Sequence, residues 1–436
     1  MKFHITPGKK LTGSIRVPGD KSISHRSVIL GSIAEGTTRV TGFLPGEDSL
    51  NTLTAFQKMG VEIDDTHALE GQLKIQGVGL HGLRAPKEDI DCGNSGTAMR
   101  LLMGLLAGQS FRSRLIGDAS LTKRPMERVA VPLRKMGANI QTAEGGKPPV
   151  EVSGTEVQAL QGIQMDLAVA SAQVKSAIIL AGLYAKGSIN IVEPAPTRDH
   201  TERMLKAMGA DIESKNLSIT LRPGKKLHGT DIDIPADISS AAFFMVAATL
   251  APDSDILLQH VGVNPTRIGI INILQKMGGN IEILNQREVG GEPVADIRVR
   301  SASLNGIDIP EEWVPLAIDE FPILFIAATY AKGITRIRGA AELRVKESDR
   351  IAVMADGLIA LGGNVQVFED GADITGTDLK GGTVDSRGDH RIAMSFAIAG
   401  HLAKSAITIK DCANVATSFP NFSQLAQSIG IQIRVQ

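Results

Sequence analysis

Lysine, histidine, arginine and three serines are packed into Lys21-Ser22-Ile23-Ser24-His25-Arg26-Ser27, directly after Pro18-Gly19-Asp20. Placed at the start of a helix, such a set offers hydroxyls, fixed cations and free backbone N–H groups to one anion. Related loops follow along the chain. They are Gly93-Asn94-Ser95-Gly96-Thr97, Ser171-Ala172-Gln173-Val174-Lys175, Asp237 with Ser239 and Ser240, Asp319-Glu320, and Asp389-His390-Arg391. Glycines and small polar residues let backbone amides come close to a phosphate. A second series of loops holds Glu47 and Asp48, then Arg124, Arg198 and Arg267, then Lys346, Glu347 and Arg350, and last Thr417 and Ser418. Four of these loops in a row set arginine at a helix start, where the macrodipole disfavours a cation. A bound anion reverses that preference; the alternative is a set of solvated surface arginines. The chemistry on offer is anion binding, with Asp319 and Glu347 as carboxylates able to move protons or, alternatively, to cap helices.

The elements that position these loops repeat. A Met-Gly-like step occurs six times, at Met59-Gly60, Met136-Gly137, Met208-Gly209, Met277-Gly278, Leu361-Gly362 and Ile429-Gly430, with glycines 77, 72, 69, 84 and 68 residues apart. Before the step lies an amphipathic helix pattern, as in Ile270, Ile273, Leu274 and Met277, in Ile351, Met354, Leu358 and Leu361, and in Phe422, Leu425 and Ile429. The glycine suits a left-handed helix cap. A short strand follows each time, beginning near Val61, Ala138, Ala210, Gly279, Gly363 and Ile431. Each copy also carries a second helix that is apolar nearly all round, such as AMRLLMGLLAG or SAAFFMVAATLA, which belongs inside a domain. A period near 70 is too long for a solenoid and fits a compact α/β unit, three of which would close around buried helices. Pro132 should interrupt the helix of the second copy.

A chain of 436 residues with 43% apolar residues exceeds one ordinary core and predicts two domains. Aromatics at 3% leave no stacking platform for single-stranded nucleic acid, and a net charge of -1 gives no broad field for DNA or anionic lipid. Cys92 and Cys412 form no CxxC pair and read as buried thiols in a reducing compartment. The start MKFHITPGKK lacks an apolar signal region, and the apolar stretch from Ala241 to Ala251 is too short to span a bilayer. Gly77-Val78-Gly79-Leu80-His81-Gly82 matches GxGxxG, but Pro86 follows and no helix pattern opens there, so a dinucleotide site is not expected. The histidines show no HExxH or paired spacing, so neither a metal nor a cofactor is expected.

The stretches GDKSISHR (19–26), GNSGTAMR (93–100), RPMERV (124–129), SAQVK (171–175), RVKESDRI (344–351) and DHRIAMS (389–395) together resemble the 5-enolpyruvylshikimate-3-phosphate synthase family over essentially the whole chain. The resemblance implies an α/β fold of two domains, each of three βαβαββ units (an inside-out α/β barrel), with the active site in the interdomain cleft. It implies an N-terminal domain over 21–237 and a C-terminal domain over 1–20 and 238–436. Arg198-Asp199-His200-Thr201-Glu202, Gly19-Asp20-Lys21-Ser22, SAQVK and Asn264-Pro265-Thr266-Arg267 are similar to the glyphosate-tolerant class II of the family. Leu101 and Thr417 stand where the other class has proline and an active-site lysine, whereas Gly96 is retained.

By this resemblance the chain transfers the enolpyruvyl group of phosphoenolpyruvate to the 5-hydroxyl of shikimate 3-phosphate and releases phosphate. Lys21, Asp319 and Glu347 would be catalytic. Lys21, Gly96, Arg124, Gln173, Arg350 and Arg391 would surround phosphoenolpyruvate. Lys21, Ser22, Arg26, Ser171, Ala172, Gln173, Arg198, Asp319 and Lys346 would hold shikimate 3-phosphate. Glu347 would protonate C3 and Asp319 would take the hydroxyl proton, although cations beside Glu347 should lower its pKa. The domains are expected to close on the substrates, in a cytoplasmic monomer that binds neither nucleic acid nor membrane. Two alternatives stand beside this. One is UDP-N-acetylglucosamine enolpyruvyl transferase, whose family usually has a cysteine in the loop that here reads Gly117-Asp118-Ala119-Ser120-Leu121-Thr122-Lys123-Arg124-Pro125. The other is a non-catalytic anion-binding protein on the same scaffold.

Overall fold

The computed structural model describes residues 1–154 and 160–436. They divide into two compact units. The first comprises Gly19–Ile234 with Val289–Glu292, the second Met1–Pro18, Pro235–Glu288 and Pro293–Gln436. Among the described residues the first unit holds helices α1 (Lys21–Ile33), α2 (Glu47–Lys58), α3 (Gly96–Ala107), α4 (Glu127–Lys135), α5 (Ala172–Gly182) and α6 (His200–Ala207). The second holds α7 (Ile238–Leu250), α8 (Gly269–Lys276), α9 (Phe321–Thr329), α10 (Arg350–Ala360), α11 (His390–Leu402) and α12 (Phe422–Ser428).

In each copy of the repeat an odd-numbered helix is buried and the even-numbered helix after it is amphipathic. In α7 every residue from Ile238 to Thr249 is buried, and each large side chain there contributes about 1.5–3 kcal/mol by leaving water. The start of α1 is the exception in composition. Ser24, His25, Arg26 and Ser27 are as buried as the apolar residues that follow them, because each finds an internal partner. The turn glycines behave as the repeat predicts. Gly60, Gly137, Gly209, Gly278, Gly362 and Gly430 all have φ between 88° and 114°, where a side chain would be strained. The strands begin at Glu62, Asn139, Asp211, Asn280, Asn364 and Gln432, one residue later than their hydrophobic patterns suggest. Helix α4 runs through Pro132 instead of stopping there. The cost is the helix bond that the carbonyl of Arg128 would otherwise accept.

Each sheet belongs to one copy. In the second copy Ile90–Asp91 pairs in parallel with Ser113–Ile116 across α3, and antiparallel strands Lys147–Ser153 and Asn139–Ala143 complete the sheet. Three sheets are completed by distant chain. Asp231–Asp233 pairs in parallel with Glu35–Thr41 of the first copy, and Thr12–Ile15 pairs in parallel with Asp255–Gly262 of the fourth. Phe3–Thr6 lies between Ile407–Lys410 and Gln432–Val435. Residues 1–18 therefore add two strands to the second unit.

The polar residues of the first series of loops fall at the starts of the buried helices. Asp20, Ser95, Ser171, Asp237 and Asp389 each accept a backbone N–H in the first turn of α1, α3, α5, α7 and α11. Such caps are worth about 1 kcal/mol each. They also fix the direction in which the neighbouring side chains leave the helix.

Candidate active site

In the first unit the predicted residues gather at the starts of α1, α3 and α5. Lys21 opens α1, and its Nζ lies 3.0 Å from Oδ2 of Asp48, a buried carboxylate in the first turn of α2. Arg26, one turn on, donates to the carbonyl of Ser22 (2.9 Å), to Thr201 Oγ1 (2.7 Å) and to Ser176 Oγ (2.9 Å). Its burial lowers its pKa to about 10, which still leaves it charged at neutral pH. Arg198 reaches to 3.5 Å from Ser22 Oγ. Arg124 donates to Asn94 Oδ1 (2.7 Å) and Ser120 Oγ (3.2 Å). A Cβ added at Gly96 would lie 3.3 Å from the Arg124 guanidinium and 3.5 Å from that of Arg100. Arg100 in turn donates to Gln173 Oε1 and to the carbonyl of Pro125, while Gln173 Nε2 donates to Thr97 Oγ1 (2.8 Å). Ser171 and Ala172 form the start of α5, with Ser171 as its cap.

In the second unit Arg350 is the centre. It is 1% exposed and lies among three carboxylates. Asp389, itself 0% exposed, accepts from Arg350 Nε (2.8 Å) and Nη2 (3.3 Å), from Ser348 Oγ (3.0 Å) and from the backbone of Arg391 (2.9 Å). The far edge of the guanidinium meets Glu347 Oε2 at 2.6 Å and Asp319 Oδ1 at 3.4 Å. Lys346 Nζ stands 3.8 Å from the same Asp319 oxygen. Burial opposes the charge on Arg350, but Asp389, Glu347 and Asp319 outweigh it and raise its pKa. Burial prevails at Lys346, whose pKa is lowered although Asp319 opposes the shift. Neither Asp319 nor Glu347 is a helix cap: α9 begins after Glu320, which makes no side-chain cap bond, and α10 is capped by Asp349.

The EPSP synthase (3-phosphoshikimate 1-carboxyvinyltransferase) family profile matches residues 5–425. The chain belongs to the EPSP synthase family. It is 60% identical over 433 residues to a 3-phosphoshikimate 1-carboxyvinyltransferase of Methylococcus capsulatus, covering 99% of this chain and 98% of that one. A counterpart in Alkalilimnicola ehrlichii is 58% identical over 99% of this chain and 96% of its own. A solved EPSP synthase structure from Acinetobacter baumannii, at 55% identity, aligns over 100% of this chain and 99% of that one with a TM-score of 0.89.

Several parts of this EPSP synthase were not legible as site residues in the sequence. Asp48, Asn94, Thr97 and Asp389 stood in the marked loops and Arg100 in the stretch GNSGTAMR, yet their roles as partners of Lys21, Gln173, Arg124 and Arg350 appear only in three dimensions. His25 is held between Thr52 Oγ1 (2.8 Å) and Ser95 Oγ (3.2 Å), and burial, assisted by Lys21 and Arg26, lowers its pKa to about 3. It is a neutral strut between α1 and the cap of α3. Lys175 is buried between Glu193 (2.9 Å) and Glu202 (2.7 Å). Burial opposes its charge, but the two carboxylates more than offset this and raise its pKa. Arg267, grouped by sequence with the arginines that would face an anion, instead has its charge met inside the second unit by Asp237 and Glu320. Both thiols are buried, and burial raises the pKa of each, that of Cys412 to about 12. Asp199, His200 and Glu292 are close enough to hold a metal ion, but His200 Nδ1 already bonds Glu292 (2.7 Å) and Asp199 bonds Arg203 (2.8 Å).

Proposed function

We propose that Lys21, Asp319 and Glu347 perform the proton transfers of this EPSP synthase, and that the two clusters act on one pair of substrates. The enzyme transfers the enolpyruvyl group of phosphoenolpyruvate to the 5-hydroxyl of shikimate 3-phosphate and releases phosphate. In the addition step the 5-hydroxyl oxygen bonds to C2 of phosphoenolpyruvate, its proton passes to Asp319, and C3 receives a proton from Glu347 or Lys21. In the elimination step a proton leaves C3 and the C2–O bond to phosphate breaks. Phosphoenolpyruvate would lie among Lys21, Gly96, Arg124, Gln173, Arg350 and Arg391. Shikimate 3-phosphate would be held by Lys21, Ser22, Arg26, Ser171, Ala172, Gln173, Arg198, Asp319 and Lys346. Planar guanidinium groups match carboxylate and phosphate oxygens in pairs, which favours arginine at such positions.

The observation that carries the reading is Arg350. Asp389 holds Nε and shares Nη2 with Glu347, while Nη1 faces Asp319. Glu347 and Asp319 share the cation with Asp389. A bound phosphate or carboxylate would compete for it, and Glu347, deprived of its cation, would hold a proton more readily. This supplies the acid that a permanently paired Glu347 could not be.

The two units are proposed as the two domains of the family fold. The enzyme is further read as a cytoplasmic monomer that binds neither nucleic acid nor membrane; among the described residues no helix is long and apolar enough to cross a membrane. Tolerance of glyphosate is supported by the motif residues and by Thr417, whose hydroxyl is turned to the Asn414 carbonyl (2.7 Å) where the other class has a lysine. The test is phosphate release from phosphoenolpyruvate with shikimate 3-phosphate or UDP-N-acetylglucosamine as acceptor, with and without glyphosate. Release with shikimate 3-phosphate that persists under glyphosate is expected. Loss of release under glyphosate would remove the tolerance, and release with the sugar nucleotide would replace the acceptor. Release undiminished in Asp319→Asn, Glu347→Gln and Lys21→Met alike would remove the residue roles.

A further inference from the structure

We infer that Arg267, together with Glu320, Ser239 and Gly269, is the positioning element for the Asp319 carboxylate, a role that rests on the reading of Asp319 as the base. Arg267 lies in the turn between the strand Asp255–Gly262 and α8. Its Nη2 donates to Ser239 Oγ (2.8 Å) and Asp237 Oδ1 (3.2 Å) and stands 3.8 Å from Glu320 Oε1. Ser239 Oγ donates to that same Glu320 oxygen. The four side chains are 2–6% exposed. The turn itself is braced by Asn264, whose Oδ1 accepts from the backbone (2.9 Å) and hydroxyl (2.8 Å) of Thr266 and whose carbonyl accepts from the backbone of Arg267 (2.8 Å).

A second tie is made by backbone. A Cβ added at Gly269 would lie 2.7 Å from the carbonyl carbon of Leu316 and 2.9 Å from Ala317. The start of α8 therefore rests directly on the short 3-10 turn Pro315–Ala317. Glu320 closes the loop, its N–H bonding the Ala317 carbonyl at 2.9 Å. Ile318 and Asp319 are thus suspended between two clamped points, Ala317 backed by Gly269 and Glu320 tethered by Arg267 and Ser239. From there Asp319 faces Arg350 and Lys346.

Buried charge clusters of this kind add little to stability compared with apolar packing of the same volume. They hold a geometry, and a displacement of about 1 Å at a reacting group can cost on the order of 100-fold in rate. Arg267 touches none of the reacting atoms and acts through its neighbours, so it is a positioning residue.

The test compares Arg267→Lys, Glu320→Gln and Ser239→Ala with Asp319→Asn in the full-length enzyme. Each positioning variant should lower kcat about tenfold or more while KM for phosphoenolpyruvate stays within about twofold. Placed on top of Asp319→Asn, the same changes should lower kcat less than about twofold further, since the group they position is already disabled. Ser239→Ala, which removes one hydroxyl from the cluster, keeps the test available if a charge change prevents folding. Wild-type kcat in folded positioning variants, with Asp319→Asn inactive, would overturn the inference and leave the base assignment standing. Equal losses with and without Asp319 would also overturn it, as a general structural effect. Full activity in Asp319→Asn would overturn the base assignment and the inference with it.

Discussion

Replacing Asp389 with alanine should unfasten the second unit. Asp389 is fully buried and accepts four hydrogen bonds, two from Arg350, one from Ser348 and one from the first turn of α11. Alanine leaves Arg350 buried with its Nε stripped of a carboxylate partner, while Glu347 and Asp319 still meet Nη2 and Nη1. Breaking a buried pair by removing one partner costs about 3–5 kcal/mol. The second unit contains on the order of 200 residues, for which each kcal/mol moves Tm by about 2–4 °C, so its transition should fall by roughly 6–20 °C. Asparagine keeps an oxygen for the helix cap while losing the charge, and should recover about 1 kcal/mol of the loss. Scanning calorimetry at pH 7.5 on wild type and both variants gives the comparison. A fall in Tm of less than about 2 °C for the alanine variant would refute the view that Asp389 is the anchor of Arg350.

Three other outcomes follow from the same geometry. His25 is neutral when folded and protonates in the unfolded chain below about pH 6.5, so its contribution to stability is complete above that pH and is lost as pH falls towards 3; wild type should lose up to about 1.4 kcal/mol per pH unit in this window relative to a His25→Gln variant, measured by urea midpoints. Lys21→Ala and Arg124→Ala should each cut kcat/KM at least about 100-fold with an unchanged circular dichroism spectrum, and an unfolded spectrum would give them structural roles instead. Gly96→Ala puts a methyl group 3.3 Å from the Arg124 guanidinium, so KM for phosphoenolpyruvate should rise with kcat less affected; equal falls in both would show that the methyl group disturbs the reacting atoms themselves.

Much of the candidate site could be proposed from the sequence because its residues sit at repeated positions. Arg124, Arg198 and Arg350 fall at or just before helix starts, where spacing from a turn glycine can find them. Arg267 shows how far that reasoning goes. It occupies the same place in its copy, but the acids that meet its charge come from residues 30 before it and 53 after it, and nothing in a local pattern reveals them. The burial of α1 was equally hidden. Hydropathy marks Ser24, His25, Arg26 and Ser27 as polar, whereas their hydrogen bonds to Leu44, Thr52, Ser176 and the carbonyl of Ser24 remove the cost of leaving water.

The sequence by itself determined the sixfold repeat, the two kinds of helix and the family, because apolar periodicity, turn glycines and ordered motifs are properties of neighbouring residues. Tertiary structure decided which partners meet each buried charge. Asp389 beside Arg350, Asp48 beside Lys21 and the two glutamates around Lys175 are brought together by chain segments 18 to 39 residues apart. Whether a buried cation faces a substrate or a carboxylate depends on that packing, since the energy of a charge in a protein interior is set by its nearest partners and not by its place in the sequence.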